Sequence, residues 1–292
     1  MRLSRLSRRG LLLSGLAAGG AAALTGCNRG DDAAPAAPAS AMTLEEAVAG
    51  DWREAQDKAR DIWRHPVETL SFFGLKPGMT VVEIWPGAGW YTDILAPYLA
   101  ASGGKLYAAN LQPNDPIAIE VVEAYRQKLR ARPRLYGDVE ITAFGATSGP
   151  MAPTGSADLV LTARNVHNWM AAGIVDKAFT DAFTALKPGG VFGVVEHRGS
   201  PGGVQDPTAA DGYVEQAYVI RLAQEAGFIL DQASEINANP RDTKDHPFGV
   251  WTLPPVRRTS ARGQPADPAF DSSPYEAVGE SDRMTLRFIK PT

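Results

Sequence analysis

The stretch Thr80-Val81-Val82-Glu83-Ile84-Trp85-Pro86-Gly87-Ala88-Gly89-Trp90-Tyr91 decides the fold. Residues 80–85 form a short apolar run, as expected of a strand buried on both faces. Pro86 and the two glycines then turn the chain, and residues 91–101 carry a helical pattern. A strand, a glycine-rich turn and a helix start make a generic nucleotide site. Glycine lets backbone approach a ligand, and the helix start offers free N–H groups. A lone Gly-x-Gly is weak evidence, and the surrounding pattern gives it weight.

Outward from this stretch the alternation continues. Strands are expected at 105–109, 139–143, 157–162, 191–196, 228–237 and 284–289. Helices are expected at 116–132, 171–186 and 209–226. Strands separated by helices predict a parallel sheet with right-handed crossovers. The last two strands have no helix between them and should pair antiparallel. Upstream, residues 44–64 read as one helix burying Trp52, Ala55, Ala59, Ile62 and Trp63, ended by His65-Pro66, with a short helix at 67–73. Residues 254–281 read as a long loop rich in Pro, Arg and Ser.

The chain has 292 residues, 44% hydrophobic and 21% charged, with a formal net charge of -4. This is globular composition and lacks the basic balance that nucleic-acid binding needs, so no nucleic-acid partner is expected. The single cysteine excludes an intramolecular disulfide. Residues 1–26 hold Arg2, Arg5, Arg8 and Arg9, no acid, and an apolar stretch from Leu11 to Leu24. This is the layout of an export signal. Ser7-Arg8-Arg9-Gly10-Leu11-Leu12 resembles a twin-arginine signal, and Leu24-Thr25-Gly26-Cys27 resembles a bacterial lipobox. The expected mature chain therefore starts at a lipidated Cys27, four arginines poorer. It continues through a flexible tether over 27–42 into a single domain over 43–292. Its expected location is the periplasmic side of a bacterial membrane, lipid-anchored and exported folded. A monomer is expected.

The run from Val81 to Thr92 resembles motif I of the class I S-adenosylmethionine-dependent methyltransferases. Further blocks are similar to a subgroup of predicted bacterial methyltransferases. They are Arg64-His65-Pro66 with Glu68-Thr69-Leu70, Arg164-Asn165-Val166-His167-Asn168-Trp169, the run Asn239 to Phe248, and Glu280 to Met284. The resemblance covers about 44–292. It implies a Rossmann-like seven-stranded sheet, mostly parallel with its last strand antiparallel and helices on both faces. It also implies S-adenosylmethionine as cofactor and a methyl-transfer activity on a small molecule. Glu83, Trp85, Gly87, Gly89, Trp90, Tyr91, Asn110 and Asn165 then stand at cofactor positions. Two positions depart from the family pattern. Trp85 replaces the first glycine, and Asn110 replaces the acid that grips the ribose hydroxyls.

Methyl transfer to oxygen or nitrogen needs alignment and often a base. His167, after the fourth strand, is the first candidate general base, and His197, after the fifth, is the second. His65, Asn168, Trp169, Arg198 and His246 are candidate substrate contacts. Trp85, Trp90, Tyr91 and Trp169 could wall a planar ligand, and 245–251 could close over the site. No His-x-x-x-His or comparable spacing occurs, so no metal is expected. The rival reading is a ligand-binding lipoprotein that keeps the fold without catalysis. A nicotinamide-dependent oxidoreductase fits the glycine spacing and last strand less well.

Overall fold

The computed structural model describes residues 42–292. The export signal, Cys27 and all of the tether but residue 42 lie outside the described residues. The chain builds a seven-stranded sheet from β1 (Thr80–Ile84), β2 (Lys105–Leu111), β3 (Val139–Phe144), β4 (Ala157–Ala163), β5 (Leu186–His197), β6 (Ile229–Ser234) and β8 (Arg283–Ile289). The strand order is β3-β2-β1-β4-β5-β8-β6. The ladders from β3 through β5 are parallel. β8 runs antiparallel to both β5 and β6, as the missing crossover helix predicts. A short strand outside this sheet, β7 (Pro247–Val250), lies in the 245–251 segment.

The period of two, with both faces covered, explains why neighbouring Val81, Val82 and Ile84 are all apolar and buried. Val81 faces a core shared with α4 (Pro66–Phe72) and α5 (Thr92–Ala100). Val82 and Ile84 face the opposite core, shared with α9 (Val175–Ala185) and α10 (Gln216–Glu225). A strand covered on both faces has no solvent side, so alternation disappears. Its carboxyl end therefore opens at the sheet edge where the glycine turn leaves.

The structure corrects several expectations. The expected helix at 44–64 is three short pieces: α1 (Leu44–Ala49), α2 (Ala55–Lys58) and α3 (Asp61–Arg64). Gly50 leaves the helical conformation at the end of α1. Of the expected buried face, Trp52 and Trp63 are half-buried, while Ile62 is 68% exposed and Ala55 and Ala59 are exposed. Arg53 and Arg64 are buried instead, each stacked on the Trp90 ring at 5.1 and 4.8 Å. The helix expected at 171–186 begins only at Val175, as α9, and a further short helix, α8 (Val166–Ala171), precedes it. They are separated by Gly173 in the left-handed conformation that ends helices. The helix expected at 209–226 begins only at Gln216, and the long loop contains a turn of helix, α11 (Ser273–Val278). One longer helix carries ordinary signals, and a short one, α7 (Pro133–Tyr136), follows it. α6 (Pro116–Ala131) starts on Asp115, whose side chain accepts from the Ala118 N–H at 2.9 Å, with Pro116 in the first turn.

Candidate functional site

The glycine turn sits at the end of β1. Gly87 has φ +59°, and a Cβ placed there would meet nothing within 4 Å. Its backbone is thus exposed to a ligand. Glu83, next to the last residue of β1, is buried and accepts from Thr92 Oγ1 at 2.7 Å, tying strand to helix. Burial pushes the Glu83 carboxyl up to about 7, with the Thr92 hydrogen bond acting against it. Lys128 on α6 donates to the Ala88 carbonyl at 2.8 Å and pairs with Asp93 at 2.6 Å. It clamps the far side of the loop. No sequence motif announced Lys128, because the residue lies a helix away.

Trp85 keeps the left-handed backbone of the glycine it replaces, at φ +48°. Such a conformation costs a bulky residue about 1 kcal/mol or more and persists only where neighbours enforce it. Here the Trp85 N–H donates to Ala109 O at 2.8 Å and its Nε1 donates to Phe144 O at 3.0 Å. Asn165 Nδ2 donates to the carbonyls of Ile84 and Trp85 at 3.0 and 3.3 Å. Asn165 is thus a brace between the β1 and β4 loops. The indole lines two cavities. One, of about 40 Å³, is bounded by Arg64, Glu83, Trp90, Tyr91 and Arg164. The other, of about 460 Å³, lies beyond β2 and β3 against Leu111, Gln112, Ile117 and Phe144. Asn110 is fully buried beside Leu111. Its Oδ1 accepts from the Leu111 N–H at 2.8 Å, and its Nδ2 has no partner.

The two candidate bases come together. His167, at the start of α8, and His197, at the end of β5, have ring centroids 5.2 Å apart. Between them lies Glu196, fully buried. Glu196 Oε1 accepts from the His197 N–H at 2.7 Å, and Oε2 accepts from the Val166 N–H at 2.5 Å. His167 Nδ1 lies 2.9 Å from Oε1. An oxygen that is already an acceptor makes the ring nitrogen the donor. Nδ1 therefore carries a proton, and in the neutral imidazole Nε2 keeps its lone pair. His197 Nδ1 contacts Ser281 Oγ at 2.5 Å. Burial holds His197 well below the usual imidazole range, and the neighbouring His167, Arg164 and Arg283 add to this. Both histidines line a cavity of about 180 Å³, whose other walls are Arg164, Val250, Trp251, Pro254, Pro255 and Val256. The 245–251 segment thus contributes its last two residues to this wall.

His167, Glu196 and His197 offer ligand atoms within 4.8 Å of one another, a grouping that spacing alone did not reveal. Glu196 stands 29 positions from His167, on another strand. Both of its oxygens are taken by N–H donors, which disfavours metal ligation by the carboxylate.

The remaining candidates sit elsewhere. Trp169 is fully buried in the core against Trp85 and Phe144, so it backs the site without lining it. Asn168 is exposed and bonds back to Arg164 O. Arg198 is held in ion pairs with Glu235 and Asp282, and His65 approaches Asn237 at 3.4 Å. His246 is bound to Asp242 at 2.8 Å. Tyr91 and Trp90 line the smaller cavity, and burial pushes Tyr91 up to about 12.

No protein-family model and no curated protein matches the sequence. Solved structures match by fold. A candidate sarcosine dimethylglycine methyltransferase from Galdieria sulphuraria gives a TM-score of 0.52 at 15% identity, over 82% of this chain and 87% of its own. The [4+2]-cyclase SpnF gives 0.51 at 18% identity, over 85% of this chain and 92% of its own. A SAM-dependent methyltransferase from Aquifex aeolicus gives 0.49 at 21% identity, over 67% and 93%. The fold is the Rossmann-like fold of the first two, and its strand order places the site at the carboxyl edge of β1, β4 and β5. One fold carries proteins named for different reactions, so the chemistry is argued from the site.

Proposed function

We propose that this chain is an S-adenosylmethionine-dependent methyltransferase acting on a small molecule. The carrying observation is the His167–Glu196 pair beside the glycine turn, with the Nε2 of His167 unpartnered on a cavity wall. The local residues suit the cofactor. Gly87 offers open space, Asn110 holds an unpartnered buried amide where a ribose is expected, and Arg64 Nη2 is an unpartnered buried donor on the recess of Glu83. Arg64, Glu83, Trp85, Gly87 and Asn110 would hold the group, with the larger cavity suited to its adenosine half. When bound, it supplies an electrophilic methyl group.

The protein's own part is positioning and proton removal. Glu196 fixes the His167 tautomer, and His167 Nε2 accepts the acceptor's proton. His197, held neutral, keeps a second positive charge away from that base. Trp251 and the two prolines exclude water. Titration calorimetry with S-adenosylmethionine tests the reading. Saturable binding supports it, and no heat at high protein concentration sinks it.

A second reading is a non-catalytic binder. Trp85 favours it, since the indole stands between the two cavities that one ligand would have to span. His167→Ala separates the two, because a binder keeps its ligand affinity and has no rate to lose.

We further propose, from residues 1–27 alone, export as a folded lipoprotein anchored through Cys27 on the periplasmic side of a bacterial membrane. No helix among the described residues is long and apolar enough to cross a membrane.

A further inference from the structure

Arg164 lines both the Glu83 recess and the histidine cavity. Its side chain makes no hydrogen bond or ion pair among the described residues, although it is half-buried. The carboxylates that could neutralise it are committed. Glu280 accepts from Arg60 at 2.8 Å, Arg64 at 2.9 Å and Arg283 at 3.1 Å. Glu196 is occupied by His167 and backbone N–H groups. Three guanidinium groups already share one carboxylate here, and Arg164 adds a fourth cation. A desolvated cation without a partner is costly, and a fold tolerates one where a ligand completes it.

The rest of the cavity narrows the ligand. No carboxylate lines it, so nothing there repels an anion or recruits a cation. The guanidinium argues against a divalent metal on the same wall. Val250, Trp251, Pro254, Pro255 and Val256 are apolar, and the Trp251 ring lies 6.0 Å from that of His167. The volume of about 180 Å³ is below the range for drug-sized ligands.

We propose that the acceptor is a small, flat hydroxylated organic anion, its charged group on Arg164 and its hydroxyl at His167 Nε2. This rests on the reading of the histidine cavity as the acceptor site.

The test measures binding of 4-hydroxybenzoate and 4-hydroxybenzamide to the full chain by calorimetry, with and without saturating S-adenosylhomocysteine. The variants are Arg164→Gln and Arg164→Lys, each first checked for wild-type circular dichroism and melting. The anion should bind about tenfold tighter than the neutral amide in wild type, as a charge-assisted bond implies. Arg164→Gln should erase that preference without changing amide affinity, and Arg164→Lys should restore part of it. Equal affinities, a preference that survives Arg164→Gln, or no binding of either probe would each overturn the proposal. So would a loss confined to S-adenosylhomocysteine affinity, which would assign Arg164 to the cofactor. If S-adenosylhomocysteine fails to bind while the Arg164-dependent preference stands, methyl transfer fails and the anion site survives.

Discussion

Two carboxylate–imidazole pairs in this protein look alike and differ in what they leave free. His246 meets Asp242 at 2.8 Å, and His167 meets Glu196 at 2.9 Å, both with buried carboxylates. Asp242 also accepts from Tyr213 Oη at 3.0 Å and from the N–H groups of Lys244 and Asp282 at 3.0 and 2.8 Å. It is a hub that joins the segment 239–248 to the start of β8, and His246 is one of its spokes. Glu196 likewise joins β5 to the start of α8. Its imidazole, however, stands on a cavity wall next to a guanidinium with no partner. The pairing holds an imidazole in place at both sites. Function is read from the unsatisfied lone pair and charge beside one of them.

The comparison is broken most severely by removing the imidazoles. His167→Ala should lower the rate constant for transfer by about 10²- to 10⁴-fold with S-adenosylhomocysteine affinity unchanged. His246→Ala should leave the rate within about threefold and lower stability. If the two variants lose activity alike, the distinction collapses. Next in size is Asp242→Ala, which strands Tyr213, His246 and two backbone donors. Denaturant unfolding should show a loss of about 3 kcal/mol.

A third prediction concerns pH. Burial raises the folded Glu83 carboxyl from 4.5 to about 7. Its contribution to stability is therefore full below the unfolded value and is lost as pH rises through about 7. A cationic cofactor favours the ionised form, so its affinity should climb by up to about tenfold per pH unit below 7 and then level off. Calorimetry from pH 5.5 to 8.5 checks this, and a flat profile would remove Glu83 from the cofactor's surroundings. The smallest expected effect is Asn110→Asp. Placing a carboxylate at the ribose position should tighten S-adenosylhomocysteine binding by about fivefold, read in the same titration.

Much of the fold was legible because it is written in local patterns. The strand at Thr80–Ile84 is buried on both faces, and only the single turn of α11, too short for a crossover, lies in the loop before β8, so the sheet and its antiparallel member followed. The 44–64 segment misled because Arg53 and Arg64 are buried in it, both stacked on Trp90, with Arg53 paired to Asp61 nearby and Arg64 to Glu280 far along the chain. At the site, His167 and His197 were visible as residues at strand ends. Glu196, Arg164 and Lys128 were not, because their roles depend on partners brought from other elements, or on having none. Trp169 looked like a ligand wall and is core, since aromatic residues next to a site and behind it carry the same sequence signal.

The central claim is that the turn at Glu83–Trp90 holds S-adenosylmethionine. It is tested most directly by titrating S-adenosylhomocysteine into the wild-type protein and Gly87→Ala. A Cβ at residue 87 meets no protein atom within 4 Å, so apart from its backbone strain it should act by occupying ligand space. The account predicts saturable one-site binding in the wild type, weakened at least about tenfold in the variant. No binding to the wild type, or equal binding to both, would contradict it.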